Sequence, residues 1–169
     1  MINQDVFGRR LRMADIDFYT LFSGLPERHD HRFSQIESFY SQHRVTLLCT
    51  LPWLAAELAE NDGILAMSCF IRRYGGSRLY INKSHHDFLE KIGIIISEKT
   101  YKQLLTHAGA SGSIDIPSAW GIFSALRKVA IQQAITEDMP AQKIANCFGV
   151  TERHLRNLAH KELLKRAAI

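Results

Sequence analysis

Apolar residues recur at every third or fourth position along most of the chain, which is typical of amphipathic helices. One helix before residue 50 is predicted by the stripe Leu11, Ala14, Phe18, Leu21 and Phe22. A second is predicted by the stripe Phe33, Ile36, Tyr40, His43 and Leu47. Pro52 can open a third helix that ends at Gly63, and a fourth runs from Ile64 to the pair Gly75-Gly76. The pattern therefore predicts a mainly α protein.

Two short apolar runs interrupt the helices and read as strands. Residues 78–81 favour a pleated backbone, and residues 114–116 form a similar run. The stretch 58–64 can be laid against 88–94, and each leads through a helix and a Gly-Ser-containing turn into a strand. Glycine-ended helices before short apolar runs are common, so duplication and coincidence remain alternatives. A duplication would let the two strands pair as a two-stranded ribbon.

The C-terminal part has the layout of a helix-turn-helix. Ser118 can cap a long helix that runs to about residue 135, and Pro140 suits the first turn of the next. Gly149 permits the sharp reversal between two helices, after which Thr151 can cap the last one. The inward positions are Ile144, Ala145, Phe148, Val150, Leu155 and Leu158. This spacing of apolar residues around a glycine turn predicts a helix-turn-helix.

The outer face of the last helix carries hydrogen-bond donors suited to DNA. The candidates for contacts with base edges lie near its N-terminus: Thr151, Glu152, Arg153, Arg156 and Asn157. The candidates for contacts with phosphates follow: His160, Lys161, Lys165 and Arg166, supported by Lys143 and by Arg127 and Lys128. Glu152 can instead serve the helix dipole. A helical hairpin with a charged, solvent-facing side is the alternative.

The distribution of charge favours the DNA interpretation. The formal net charge is +4, and from Arg127 onward eight Lys and Arg residues stand against four Asp and Glu residues. The remaining 13 basic and 13 acidic residues cancel. All of the positive excess therefore lies in the last quarter of the chain, where the helix-turn-helix is predicted.

Three stretches resemble the Mor transcription activator family of phage and mobile-element regulators. They are LPWLAAELAE from Leu51, RYGGSRLYI from Arg73, and the segment from Ile144 through Arg156. The resemblance implies an N-terminal dimerisation domain, a C-terminal DNA-binding domain that recruits RNA polymerase, and a dimer interface at the strand formed by Leu79, Tyr80 and Ile81. This chain departs from the family at Asn82, where a Pro is usual, and about 35 residues lie between Asn82 and Pro117, whereas the family moves directly into the helix before the helix-turn-helix. Pairing of the strands within one chain or between two chains thus stays open.

Three regions follow from these features. Residues 1–49 are a helical N-terminal extension, residues 50–117 are a dimerisation-type helical domain with short strands, and residues 118–169 are a helix-turn-helix domain. The predicted function is sequence-specific binding of double-stranded DNA by a homodimeric transcription regulator, an activator of phage or mobile-element genes. A DNA-targeting accessory of a recombinase or nuclease, and a protein-interaction adaptor, are the alternatives.

The sequence offers no site for catalysis, so we expect no enzymatic activity and no cofactor. The clusters His29, Asp30, His31 and His85, His86, Asp87 are polar turns without convincing ligand spacing, and no metal is predicted. Cys49, Cys69 and Cys147 are odd in number and widely spaced, which favours a reducing compartment. No apolar stretch is long enough for a membrane span, so a soluble, cytoplasmic protein is expected.

Overall fold

The structure, a computed structural model, describes residues 31–167, with side chains described for residues 33–161. The helix predicted at Leu11 to Phe22 lies outside the described residues. Within them the chain forms eight α-helices and two β-strands. In chain order these are α1 (His31–Gln42), α2 (Arg44–Thr50), α3 (Trp53–Tyr74), β1 (Arg78–Tyr80), α4 (His85–Ile92), α5 (Glu98–Ala108), β2 (Ser113–Asp115), α6 (Ala119–Thr136), α7 (Ala141–Phe148) and α8 (Glu152–Ala167). The chain is mainly helical, as the apolar periodicity predicts.

The chain divides into two compact units, and the division falls inside α6. Among the described residues, one unit comprises residues 31–129 and the other comprises residues 130–167. The boundary predicted from the sequence lies earlier, at residue 117. The second half of α6 thus belongs with α7 and α8.

The apolar stripe predicted as a single second helix is divided between α1 and α2. His43 leaves helical geometry, with φ −120° and ψ 27°. Its N–H still donates to the Phe39 carbonyl at 3.0 Å, and the Leu47 N–H donates to the His43 carbonyl at 2.9 Å. Because these backbone bonds persist across the break, the chain turns without orphaning polar groups. Phe33 and Leu47 are buried on either side of it.

Gly63 produces a kink within α3, where the sequence predicts the end of a helix. Its φ of 92° and ψ of 161° are not helical, and a side chain there would be strained. The preceding Asp62 carboxylate accepts the Ser97 N–H at 2.6 Å and the Thr100 hydroxyl. The kink in α3 is therefore tied to the start of α5.

The two strands pair with each other inside one chain, as an antiparallel ribbon. Arg78 lies opposite Asp115, and Tyr80 lies opposite Ser113. Backbone bonds continue beyond the strands: the Gly76 N–H donates to the Ile116 carbonyl at 3.0 Å, and the Ile81 N–H donates to the Gly112 carbonyl at 2.8 Å. The open question of pairing is answered in favour of an intramolecular ribbon.

The core of the unit ending at residue 129 lies between the ribbon and helices α1 to α6. Its most buried large side chains are Leu47, Leu54, Leu58, Met67, Phe70, Ile71, Ile81, Phe88, Ile92 and Ile96. Gly75 lies against the start of α6, where a Cβ would meet the Pro117 carbonyl at 3.1 Å and the Ala119 nitrogen at 3.3 Å. The Ser118 hydroxyl accepts the Gly121 N–H at 3.2 Å, so Ser118 caps α6 as predicted.

Candidate nucleic-acid interface

A tight turn at Gly149 separates α7 from α8. Gly149 has the left-handed conformation, with φ 61° and ψ 36°, and its N–H donates to the Ala145 carbonyl. The Val150 N–H donates to the same carbonyl at 3.1 Å. This arrangement is close to a Schellman motif, which satisfies the last carbonyls of a helix and reverses the chain. The two helices are thus distinct, and they pack against each other.

Thr151 starts α8 in the way that the sequence predicts. Its hydroxyl accepts the His154 N–H at 3.2 Å, and its carbonyl accepts the Leu155 N–H at 3.1 Å. Glu152 is the acidic residue of the first turn, where its charge is favourable to the helix dipole. The capping interactions therefore fix where α8 begins.

Buried apolar side chains hold α7 and α8 in this unit. Ile144, Phe148 and Leu155 are each at most 3% exposed, as predicted. The end of α6 adds three more buried side chains, Ala130, Ile131 and Ala134. The remaining inward positions, Ala145, Val150 and Leu158, are half-buried rather than buried.

The burial of Leu155 defines which side of α8 faces solvent. Successive residues of an α-helix are rotated by about 100°. Arg153 and Asn157 consequently lie about 160° from Leu155, and His160 about 140°. All three are exposed. They form the centre of the outer face, which we call the α8 outer face.

The other predicted contact residues lie around this centre. Arg156 is about 100° from Leu155, at one flank of α8, and Lys161 is about 120° away on the other side. Both are exposed, as are Thr151, Glu152 and, on α7, Lys143. Lys165 lies in α8, but its side chain is outside the described residues, as is that of Arg166.

The cations on α7 and α8 whose side chains the structure describes are not neutralised by acidic neighbours. Among the described residues, Lys143, Arg153, Arg156 and Lys161 form no ion pair. Arg127, predicted as a supporting contact, belongs to the other unit and is half-buried. Its guanidinium lies over the Trp120 ring at 5.9 Å. The four exposed cations of α7 and α8 are thus available to an anionic partner.

A pocket of about 250 Å³ opens beside α8. It lies within the unit that begins at residue 130 and is lined by Ile135, Asp138, Met139, Ala141, Ile144, Leu155, Arg156 and Ala159. The lining comes from the end of α6, the turn after it, the first residues of α7 and one flank of α8. A sequence pattern gives little indication of such a pocket, because its walls come from two stretches, 135–144 and 155–159, that meet only in the folded chain.

The residues predicted at a dimer interface have different environments. Leu79 and Ile81 are 6% and 1% exposed, so both contribute to the core of their own chain. Tyr80 is 51% exposed. Its ring is covered on one side by the Lys91 ammonium group, 5.4 Å from the ring centroid. Of the three, Tyr80 alone presents a large exposed surface.

The polar residues at the start of α4, from which no metal site was predicted, point in different directions. His85 turns inward, where it stacks on Tyr101 and contacts the Ile96 carbonyl at 3.2 Å. The ligand atoms of His86, Asp87 and Glu90 lie within 4.8 Å of one another, and all three side chains are exposed. They lie on adjacent turns of one short helix, an arrangement common without an ion. His29 and Asp30 lie outside the described residues.

No helix between residues 31 and 167 combines the length and apolar composition that a membrane crossing requires. Comparisons with protein-family models, curated proteins and solved structures return no match for this chain. The function therefore has to be inferred from the geometry and chemistry of its own residues.

Proposed function

We propose that this chain is a sequence-specific regulator of transcription that binds double-stranded DNA through α7 and α8. The observation that carries the proposal is the turn at Gly149, after which α8 buries Leu155 and exposes Arg153 and Asn157 on its opposite side. A helix held in this way can enter the major groove of B-DNA. The concentration of positive charge after residue 127 supports an anionic partner.

The side chains of the α8 outer face suit the major groove. Arg153 can donate two hydrogen bonds to guanine O6 and N7, and Asn157 can pair with adenine N6 and N7. Lys143 on α7 and Lys161 at a flank of α8 are exposed and suited to phosphates, which position a protein on DNA without reading its sequence. Sequence preference is therefore assigned to the centre of α8 and general affinity to its surroundings.

The wider role rests on the resemblance to Mor-type activators. By that resemblance we propose a homodimer that activates phage or mobile-element promoters with RNA polymerase as a partner. A dimer would place two copies of α8 about 34 Å apart, one turn of DNA. Leu79 and Ile81 are buried within their own chain, so a dimer contact at this strand would have to use Tyr80 and its exposed neighbours.

Selection of bound duplexes from a random DNA pool tests the proposal directly. We expect the full-length chain to enrich a defined site, and a two-fold symmetric site if two copies of α8 engage. Arg153→Ala and Asn157→Ala should each relax one position of that site, whereas Lys99→Ala should leave the site unchanged. Lys99 is a matched exposed cation in the other unit. Recovery of a pool with no enriched site would refute sequence-specific binding.

A further inference from the structure

The pocket beside α8 has an apolar interior. Ile144 and Leu155 are almost completely buried. Ile135, Met139 and Ala159 also line it and are half-buried. Covering such a surface with an apolar group is favourable by roughly 25 cal/mol for each Å² of apolar area removed from water.

The turn that forms one wall of the pocket is held in a defined conformation. Asp138 has a positive φ of 54°, the one non-glycine residue with a positive φ among the described residues. Its N–H donates to the Ile135 carbonyl at 3.1 Å, and the Met139 N–H donates to the Ala134 carbonyl at 3.0 Å. These two bonds are those of a Schellman motif. Glycine would adopt this conformation with less strain, and Asp is among the other residues that tolerate it.

Two opposite charges lie at the pocket. Asp138 comes from the turn between α6 and α7, and Arg156 comes from the flank of α8. Both are exposed, and neither forms an ion pair with any described residue. The lining therefore offers an apolar surface together with one partner for a cation and one partner for an anion.

The size of the pocket limits the ligand. Sites for drug-sized ligands have volumes of roughly 300–1,000 Å³, and this one has about 250 Å³. We propose that the pocket binds a free apolar amino acid of about the size of leucine or methionine. Its side chain would cover the half-buried Ile135 and Met139. Its carboxylate would contact Arg156, and its ammonium group would contact Asp138.

Titrations of the isotope-labelled full-length chain, followed by nuclear magnetic resonance, test this inference without DNA. The probes are leucine, isocaproate, which lacks the amino group, and isoamylamine, which lacks the carboxylate. We expect leucine to shift the amide signals of residues 135–144 and 155–159 in a saturable manner. Each analogue should bind about tenfold more weakly, since each loses one hydrogen-bonded charge.

Two variants test which charge of the ligand each pocket residue contacts, and a third is the control. Arg156→Gln should weaken leucine about tenfold and leave isoamylamine unchanged. Asp138→Asn, which tolerates the positive φ, should weaken leucine and leave isocaproate unchanged or tighter. Arg153→Gln removes a charge from the same helix outside the pocket and should change none of the three affinities.

Two results would overturn the inference. One is the absence of saturable shifts at the pocket residues with leucine. The other is binding of N-acetylleucinamide, in which both charges are blocked, as tightly as leucine, because the pocket would then accept an apolar side chain of a protein segment. Neither result bears on DNA binding, which is measured separately.

Discussion

If the chain binds DNA as proposed, the exposed cations of α7 and α8 determine how its affinity depends on salt. Each phosphate neutralised by a Lys or Arg contributes about −0.9 to the slope of log K against log salt concentration. If Arg153 contacts a base, and if Arg156 at the flank of α8 contacts a phosphate instead of the base edge predicted for it from the sequence, three described cations are available for phosphates: Lys143, Arg156 and Lys161. We expect a slope of roughly −2.7 per subunit, which weakens binding about 40-fold per subunit between 50 and 200 mM salt. Lys165 and Arg166 would add to this slope.

The sharpest form of this prediction is the difference between variants. Lys161→Ala should make the slope shallower by about 0.9 per subunit and weaken selected and scrambled duplexes equally. Arg153→Ala should reduce the free-energy difference between the two duplexes by about 1–3 kcal/mol. Fluorescence anisotropy of labelled duplexes over a salt series measures both quantities.

Lys99→Ala is the control for this measurement, because it removes one positive charge from an exposed position in the other unit. Its slope should equal that of the unmodified chain. Equal slopes for Lys99→Ala and Lys161→Ala would show that α8 does not contact phosphates. Equal loss of sequence preference for Arg153→Ala and Lys161→Ala would refute the separation of base and phosphate contacts.

Three further predictions concern stability. Gly149→Ala should lower the free energy of unfolding by about 1 kcal/mol, because φ is 61° at this position. Gly149→Asn should lower it by less, and urea denaturation of both variants measures the difference. Gly75→Ala should lower the free energy of unfolding by about 1–3 kcal/mol, because the added methyl meets backbone atoms at the start of α6. Gly121→Ala, inside α6, should be neutral or stabilising. Equal unfolding free energies for the two variants in urea would contradict this prediction. Burial, and secondarily the Asp87 carboxylate, raise the pKa of Tyr101 above its ordinary 10.0. The folded pKa exceeds the unfolded one, so this stabilisation is complete below pH 10.0 and is lost as pH rises through the folded pKa. As the pH is raised above 10.0, the free energy of unfolding should therefore decrease less for Tyr101→Phe than for the unmodified chain.

Local chemistry made the turn at Gly149 predictable from the sequence. A glycine after an apolar run, followed by a capping Thr151, determines the end of one helix and the start of the next within a few residues. The strands were predictable for a similar reason, because Gly75 and Gly76 precede the short run at Leu79, and Gly112 precedes the run at Ile114. Both features depend on residues close together in the chain.

Features that depend on distant residues were not predictable. The bond from Ser97 to Asp62 spans 35 residues, and nothing in either local stretch specifies the other. The break at His43 was hidden because the apolar stripe continues across it in helical register. The pocket, likewise, needs the packing of α8 against the turn at Asp138 before it exists.

The internal pairing of β1 with β2 has a consequence for shortened versions of this chain. Removal of residues 82–116 would take away the strand that shields the backbone of β1 and would uncover Leu79. An unpaired three-residue strand with an apolar side can form backbone hydrogen bonds with the same strand of another molecule. Such a truncated chain should associate through β1, whereas the intact chain already supplies that contact for itself.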